Sequence, residues 1–270
     1  MRLLSLVLLI FCLIDPATAQ VEHGSIGVVY FTQEKIAAAA DSRGILAKRE
    51  IDDSICKIAA LGGNIIFVST GIVRSFGLAP LVPDWDNIEA AREALAKISG
   101  QNPKMRPNIA KIANEWIGTM EANFNIMARQ KPDLFSQYSP QKPESFTVGL
   151  LGGLDADGVL ALFQMKIDIS DSGKRAEGRF RRVEKCGPYN FCIIGAQDMA
   201  TEAAQKEVAE WNPTETALVE DYDILRAIRL VELTIKQHTG DDVGGKIDAV
   251  QLVRDGSIRW YRRKENCPPK

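Results

Sequence analysis

Four residues near the start of the chain have types suited to joint chemistry: Ser25, directly after Gly24; Asp41, in Ala40-Asp41-Ser42-Arg43; Lys57; and Gly71. The last three follow the serine by 16, 32 and 46 positions. A serine hydroxyl is a poor nucleophile until a base takes its proton. His23 and His238 are the only histidines, too few to suggest a His-dependent triad or a His-based metal centre, so the base must be found elsewhere. Singly, each residue has an ordinary use: a strand-start serine, a turn ion pair between Asp41 and Arg43, a surface lysine, a turn glycine. Their spacing gives them a joint meaning.

The elements that position them are read from periodicity. Ile26–Phe31 and Ile36–Ala40, around a polar turn at Thr32–Glu34, predict a strand pair, with Ser25 just before its first strand and Asp41 just after its second. A second hairpin is predicted from Ile55–Leu61 and Ile65–Ser69 about Gly62-Gly63-Asn64, with Lys57 on its first strand. Two helices follow. The first has the stripe Ile88, Ala91, Leu95 and Ile98, with Asp86 as N-cap. The second has Ile109, Ile112, Trp116, Met120, Phe124 and Met127 on one face and ends at Pro132. Residues 132–144 read as a surface loop. Strands are predicted at Phe146–Leu151 and Val159–Ile169 with a turn over Gly152–Gly158, then a solvated basic loop holding Lys174, Arg175, Arg179, Arg181 and Arg182. A strand at Phe191–Ile194, a helix around 198–210, and a helix carrying Ile224, Ile228, Val231 and Ile235 come next. A closing hairpin, Ile247–Val253 and Ile258–Tyr261, turns at Asp255-Gly256. Strands, two helices, strands, two helices, strands is the order of an α+β protein, a four-layer αββα sandwich rather than an alternating Rossmann fold.

Residues 1–19 have the form of a secretory signal peptide: Arg2, an apolar run from Leu3 to Ile14, Pro16, and Ala17-Thr18-Ala19 before Gln20. That run is shorter than the ~20 residues of a membrane span, so no stable membrane anchor is expected. The expected organisation is signal peptide 1–19, a short propeptide 20–24, one domain over 25–262 and a tail at 263–270. The net charge of −2 argues against nucleic acid as a partner. No CxxC pair, GxGxxG or P-loop is present, and neither metal nor cofactor is expected. Beyond the leader the cysteines are Cys56, Cys186, Cys192 and Cys267. An even number in an exported chain allows disulfides without fixing their pairing. Cys186 and Cys192, across a Gly-Pro-Tyr-Asn-Phe turn, could bridge adjacent strand ends, or all four could be half-buried thiols.

Gly24-Ser25-Ile26-Gly27-Val28, Ala-Ala-Asp41-Ser42-Arg43-Gly44, Ser54-Ile55-Cys56-Lys57-Ile58 and Ser69-Thr70-Gly71 resemble the proteasome β-subunit family of N-terminal-nucleophile hydrolases. The likeness extends through Val148–Phe163, with its Asp-x-x-Gly turn, to Gly244-Gly245-Lys246-Ile247-Asp248-Ala249, and so spans most of 25–262. It implies that cleavage at Gly24–Ser25, by Ser25 itself, frees an α-amine that serves as the base. It also implies that Lys57, paired with Asp41, lowers the hydroxyl and amine pKa values, and that Gly71 offers its N–H to the oxyanion. Arg43 and Asp241 are supporting residues by the same likeness. Gly44, Ile55, Ala59, Ser69 and Val73 would line a small apolar substrate pocket beside the nucleophile.

The chain departs from the family pattern in three places. Serine stands where threonine is usual; Gly195-Ala196-Gln197 replaces Gly-Ser-Gly; and Val243 replaces the serine of Asp-x-x-Ser-Gly-Gly, with Asp241 displaced by one position. Such losses of supporting polar contacts can slow catalysis by ~10–100-fold. The expected function is an exported hydrolase of peptide or other amide bonds, periplasmic or extracellular, acting as a monomer or small homo-oligomer. The alternative is a catalytically inactive scaffold or ring subunit of the same fold.

Overall fold

Four consecutive alanines end the second strand, and their alternate burial displays the architecture. Ala37 and Ala39 pack toward a helix, while Ala38 and Ala40 pack toward a second sheet. A strand buried on both faces needs apolar residues without alternation, and small ones wherever a helix comes close. The computed structural model describes residues 20–22, 25–45, 51–62, 64–76, 82–101, 106–137, 145–170, 173–195, 202–212, 219–238, 240–265 and 267. The expected leader, Gly24 of the expected cleavage junction, and Ala196 and Gln197 lie outside the described residues.

In chain order the strands are β1 (Gln20–Glu22), β2 (Ile26–Phe31), β3 (Lys35–Ala40), β4 (Gly44–Ile45), β5 (Ile51–Asp52), β6 (Ile58–Gly62), β7 (Ile65–Gly71), β8 (Arg74–Phe76) and β9 (Trp85–Asp86). Helices α1 (Asn87–Gln101), α2 (Ile109–Gln130) and α3 (Pro132–Gln137) follow, then β10 (Thr147–Leu154), β11 (Leu160–Ile169), β12 (Ala176–Arg182) and β13 (Phe191–Gly195). Helices α4 (Glu202–Glu210) and α5 (Tyr222–Gln237) precede β14 (Asp248–Val253) and β15 (Ile258–Arg262). The fold is α+β, and its strand pairs are antiparallel. One five-stranded sheet runs β12-β11-β10-β7-β6 and another β13-β2-β3-β14-β15; β1-β8-β9 and β4-β5 form two small sheets.

Three apolar clusters hold these elements. One joins α1, α2 and α3 to the first large sheet through Trp116, Phe124 and Phe67. The second draws on both large sheets, with Val29, Ile36 and Val250 meeting Ile66, Val68 and Leu150. The third sets Val208 of α4 and Ile224, Ile228 and Val231 of α5 against Ile26 and Val28 of β2. Each fully buried large apolar side chain contributes ~1.5–3 kcal/mol relative to exposure. The stripe predicted for α2 is buried at all six positions. Asp86 caps α1, its Oδ1 accepting from the N–H groups of Ile88 and Glu89 at 2.7 and 3.1 Å.

Several segments differ from expectation. Gly152 and Gly153 lie inside β10, and the turn is confined to Asp155–Gly158. A Cβ on Gly152 would come within 2.7 Å of Ile36 Cδ1, so glycine here serves sheet-to-sheet approach rather than a turn. The basic segment is not a loop over 176–182 but the edge strand β12, whose charged residues keep that edge solvated. Pro132 ends α2 by opening α3, since proline suits a first helical turn, and Phe135 is buried in what reads as a surface loop; residues 138–144 lie outside the description. Lys57 precedes β6 rather than lying within it.

A buried polar chain ties the helices to the end of β7. Trp116 Nε1 donates to Asn87 O at 3.0 Å, Asn87 Nδ2 donates to Thr147 Oγ1 at 2.8 Å and to Ile72 O at 3.2 Å, and Thr147 Oγ1 donates to Thr70 O at 3.0 Å. Thr147 is the register partner of Gly71. Asn87→Ala would take the donor from the Ile72 carbonyl and from the accepting side of the Thr147 hydroxyl, and is expected to cost about 2 kcal/mol in urea unfolding.

Candidate functional site

β2 and β3 are adjacent and antiparallel, so the residue before β2 and the residue after β3 meet. These are Ser25 and Asp41. The Asp41 N–H donates to Ile26 O at 3.2 Å, and the Ile26 N–H donates to Asp41 Oδ1 at 3.0 Å. Lys57 enters from the other large sheet and places Nζ 2.8 Å from the same Oδ1. Both side chains of this ion pair are fully buried. Oδ2 accepts from the Gly244 N–H at 2.9 Å, so the carboxylate is held from three elements. Lys57 Nζ also donates to Arg43 O. A buried charge pair is tolerated only when its remaining hydrogen-bonding capacity is met; here backbone groups on both sides meet it.

Ser25 is 2% exposed, and its Oγ has no hydrogen-bond partner among the described residues. Its φ is +149°, in the region that favours glycine. Strain at a non-glycine residue persists only where its surroundings impose it. Gly195 accommodates it: a Cβ there would stand 2.1 Å from Ser25 O and 3.1 Å from Thr70 Cβ. Ser25 and Thr70, the residue before Gly71, thus close on the bare Cα of Gly195. Gly71 has φ +82°, and a Cβ on it would meet Phe146 O at 2.5 Å, so no other residue fits. The Ser69 N–H donates to Lys57 O at 2.9 Å, locking β7 to the lysine. Ser25, Asp41, Lys57 and Gly71 are therefore linked through Ile26, Gly195, Thr70 and Ser69.

Arg43 forks onto Asp53 at 2.7 and 3.1 Å, which holds the Asp53 carboxyl below its ordinary range and the guanidinium above its own. Asp241 is exposed, and its charge acts on Arg43. Asp241 makes no hydrogen bond to the Ser25 hydroxyl, which has no partner among the described residues. Ile55, Ala59, Ser69 and Val73 are buried, as is Gly44 at the start of β4. Ala59 belongs to the helix-side apolar cluster, and none of the five lines the cavity described below.

Sequence reasoning missed the second lysine. Lys264, in the expected tail, is 4% exposed; its Nζ lies 3.1 Å from Asp248 Oδ2 and donates to Ile55 O. Beside it Cys267 is disulfide-bonded to Cys56, the neighbour of Lys57. Cys186 and Cys192 form the other bridge. Ser42 adds further clamps: its carbonyl accepts from the Ile55 N–H and its Oγ from the Lys246 N–H. The approach to Lys57 is thus fixed by three contacts, from Lys264, Cys267 and the Ser42 carbonyl. The one sequence signal was the even cysteine count.

Burial outweighs the attraction of Asp248 and holds the Lys264 ammonium below the lysine range. Between that lowered value and about 10.5 the unfolded chain binds more protons than the folded one, so this residue makes stability rise with pH. The denaturation midpoint of the wild type should climb relative to that of Lys264→Met as pH rises from 8 to 10.

No known protein-family profile matches this chain, and no curated protein sequence matches it with significant similarity.

Proposed function

We propose that the chain is the precursor of an exported serine-type N-terminal-nucleophile hydrolase of the proteasome β-subunit kind, a four-layer αββα sandwich that cleaves peptide or other amide bonds. The three apolar clusters, set helix to sheet, sheet to sheet and sheet to helix, support that architecture. The observation that carries the function is the Asp41 carboxylate oxygen shared by Lys57 Nζ and the Ile26 N–H, next to a buried, unpartnered Ser25 hydroxyl. Both disulfides agree with an oxidising compartment.

Maturation comes first. Ser25 Oγ attacks the Gly24 carbonyl carbon, the Gly24–Ser25 C–N bond breaks with the proton passing to the leaving nitrogen, and the Gly24 acyl group is left as an ester on Oγ. Water hydrolyses that ester, releasing Gln20–Gly24 as a carboxylate and freeing both the Ser25 hydroxyl and its α-amine. The strained φ of Ser25 lowers the barrier by being relieved when the bond breaks. In turnover the α-amine, of ordinary pKa ~8, takes the hydroxyl proton as Oγ attacks the substrate carbonyl. The buried Lys57 ammonium stabilises the developing negative charge, and the Gly71 N–H receives the oxyanion. The acyl-enzyme then yields to water.

The scaffold alternative has one observation in its favour. Val243, where the family has serine, is buried among apolar residues of the α5 side and offers the amine no hydroxyl.

The test is the first residue of the secreted protein. Intact-mass analysis should find Ser25 in the wild type and Gln20 in Ser25→Ala, with amide hydrolysis lost in the variant. A folded wild type that keeps Gln20 overturns the enzyme and favours the scaffold.

A further inference from the structure

The first three residues of the expected propeptide form a strand. β1 pairs antiparallel with β8 in the register Gln20↔Phe76, Val21↔Ser75 and Glu22↔Arg74. The other edge of β8 is taken by β9. Loss of Gln20–Gly24 would therefore uncover one edge of β8, a row of N–H and C=O groups able to accept another extended strand. The three residues of β8, Arg74, Ser75 and Phe76, also line a cavity of about 660 Å³, together with Trp85 and Asp86 of β9 and residues of α1 and α2.

Its lining has two parts. Phe76, Trp85 and Ala90 are apolar, while Asp84, Asp86, Glu89 and Glu93 bring four carboxylates, of which Glu89 pairs with Arg92 and Asp86 caps α1, leaving Asp84 and Glu93 to face a ligand. The Arg74 guanidinium is engaged by Asp52 at 3.0 Å. An apolar wall with an acidic rim suits an aliphatic stem ending in a cation. A bare metal ion is a poorer fit, since no group of three or more potential ligands able to hold one is found among the described residues. Trp85 supplies an independent sign: it is 8% exposed, and its indole N–H has no acceptor among the described residues. A buried indole N–H ordinarily has one, and Trp85 is part of this cavity's wall.

We propose, on the premise that the chain is the self-cleaving hydrolase described above, that this cavity is a subsite for a lysine or arginine side chain. The peptide would lie as a strand on β8, with its basic residue third to fifth before the scissile bond. Those are the positions of Glu22, Val21 and Gln20 relative to Gly24–Ser25. The subsite selects unfolded basic segments and leaves the bond-breaking groups untouched.

Two measurements on the chain beginning at Ser25 separate this proposal from its premise. The first is binding, read from tryptophan fluorescence, of an end-blocked peptide with lysine at those positions against one with norleucine, which keeps the stem and lacks the charge. The lysine peptide should bind about five- to tenfold more tightly, as one or two partly exposed ion pairs allow. Asp84→Asn with Glu93→Gln should erase the difference. The second is hydrolysis of the same peptides, where the preference should appear in KM with kcat unchanged. Binding preference without hydrolysis sinks the enzyme and keeps the subsite. Equal affinity for lysine and norleucine, or a preference that survives the double variant, overturns the subsite.

Discussion

Lys57→Met should leave the secreted protein with Gln20 at its terminus, abolish measurable amide hydrolysis, and lower stability by about 3–5 kcal/mol. The stability term follows from the Asp41 carboxylate, which is fully buried and would keep only the Ile26 and Gly244 N–H groups. Removing one partner of a buried ion pair leaves an uncompensated charge, which costs more than the intact pair contributed. The chemical term is separate. In the proposed mechanism, the Ser25 hydroxyl without the ammonium loses the cation that favours its ionised form, worth about 10²–10³ in rate for an electrostatic stabiliser. Lys57→Arg distinguishes the two. It retains the charge, so the fold should survive, but a planar fork cannot reproduce the contacts of Nζ with Asp41 and Arg43 O. Self-cleavage in Lys57→Arg should be at least a hundredfold slower. A folded Lys57→Met chain that is cut at the wild-type rate would remove the lysine from the mechanism and assign the cut to a trimming protease.

The candidate residues were legible because their chemistry is carried by side-chain type and by position on local hairpins. Ser25 and Asp41 flank one strand pair, and the apolar run that forms it is unmistakable in the sequence. The long stripe of α2 was equally plain, since six large apolar residues at helical spacing have one stable arrangement. What stayed hidden depends on contacts distant in the chain. Gly244 reaches Asp41 across 203 positions, and nothing around it announces that its N–H will be an aspartate ligand. Gly195 reads as an ordinary strand-end glycine until Ser25 is laid against it. Gly152 and Gly153 read as a turn in the sequence because glycine usually marks one; a neighbouring sheet pressed on the strand is invisible in one dimension. Strand β12 was masked by its arginines, because an edge strand and a solvated loop share the same composition.

The tail shows the same limit and sets up the other large effect. Cys56–Cys267 closes a span of 211 residues, whereas Cys186–Cys192 closes 6. In the chain-entropy account a crosslink restrains the unfolded ensemble in proportion to the logarithm of its loop, giving about 5 kcal/mol for the first and about 2 kcal/mol for the second. Replacing both cysteines of each pair by alanine should reproduce that order in urea unfolding. The long bridge carries a further consequence that the short one lacks. Cys56 adjoins Lys57, and Cys267 lies three residues from Lys264, whose Nζ donates to Ile55 O. Cutting the bridge therefore loosens both sides of the lysine at once, and an ammonium displaced by even ~1 Å loses much of its hold on a developing charge. In Cys56→Ala/Cys267→Ala, self-cleavage at Gly24–Ser25 should slow about tenfold or more while the protein is still folded. In Cys186→Ala/Cys192→Ala it should run at the wild-type rate. Equal slowing in the two double variants would mean that global softening governs the cut, whereas slowing confined to the first assigns the long bridge to the positioning of Lys57.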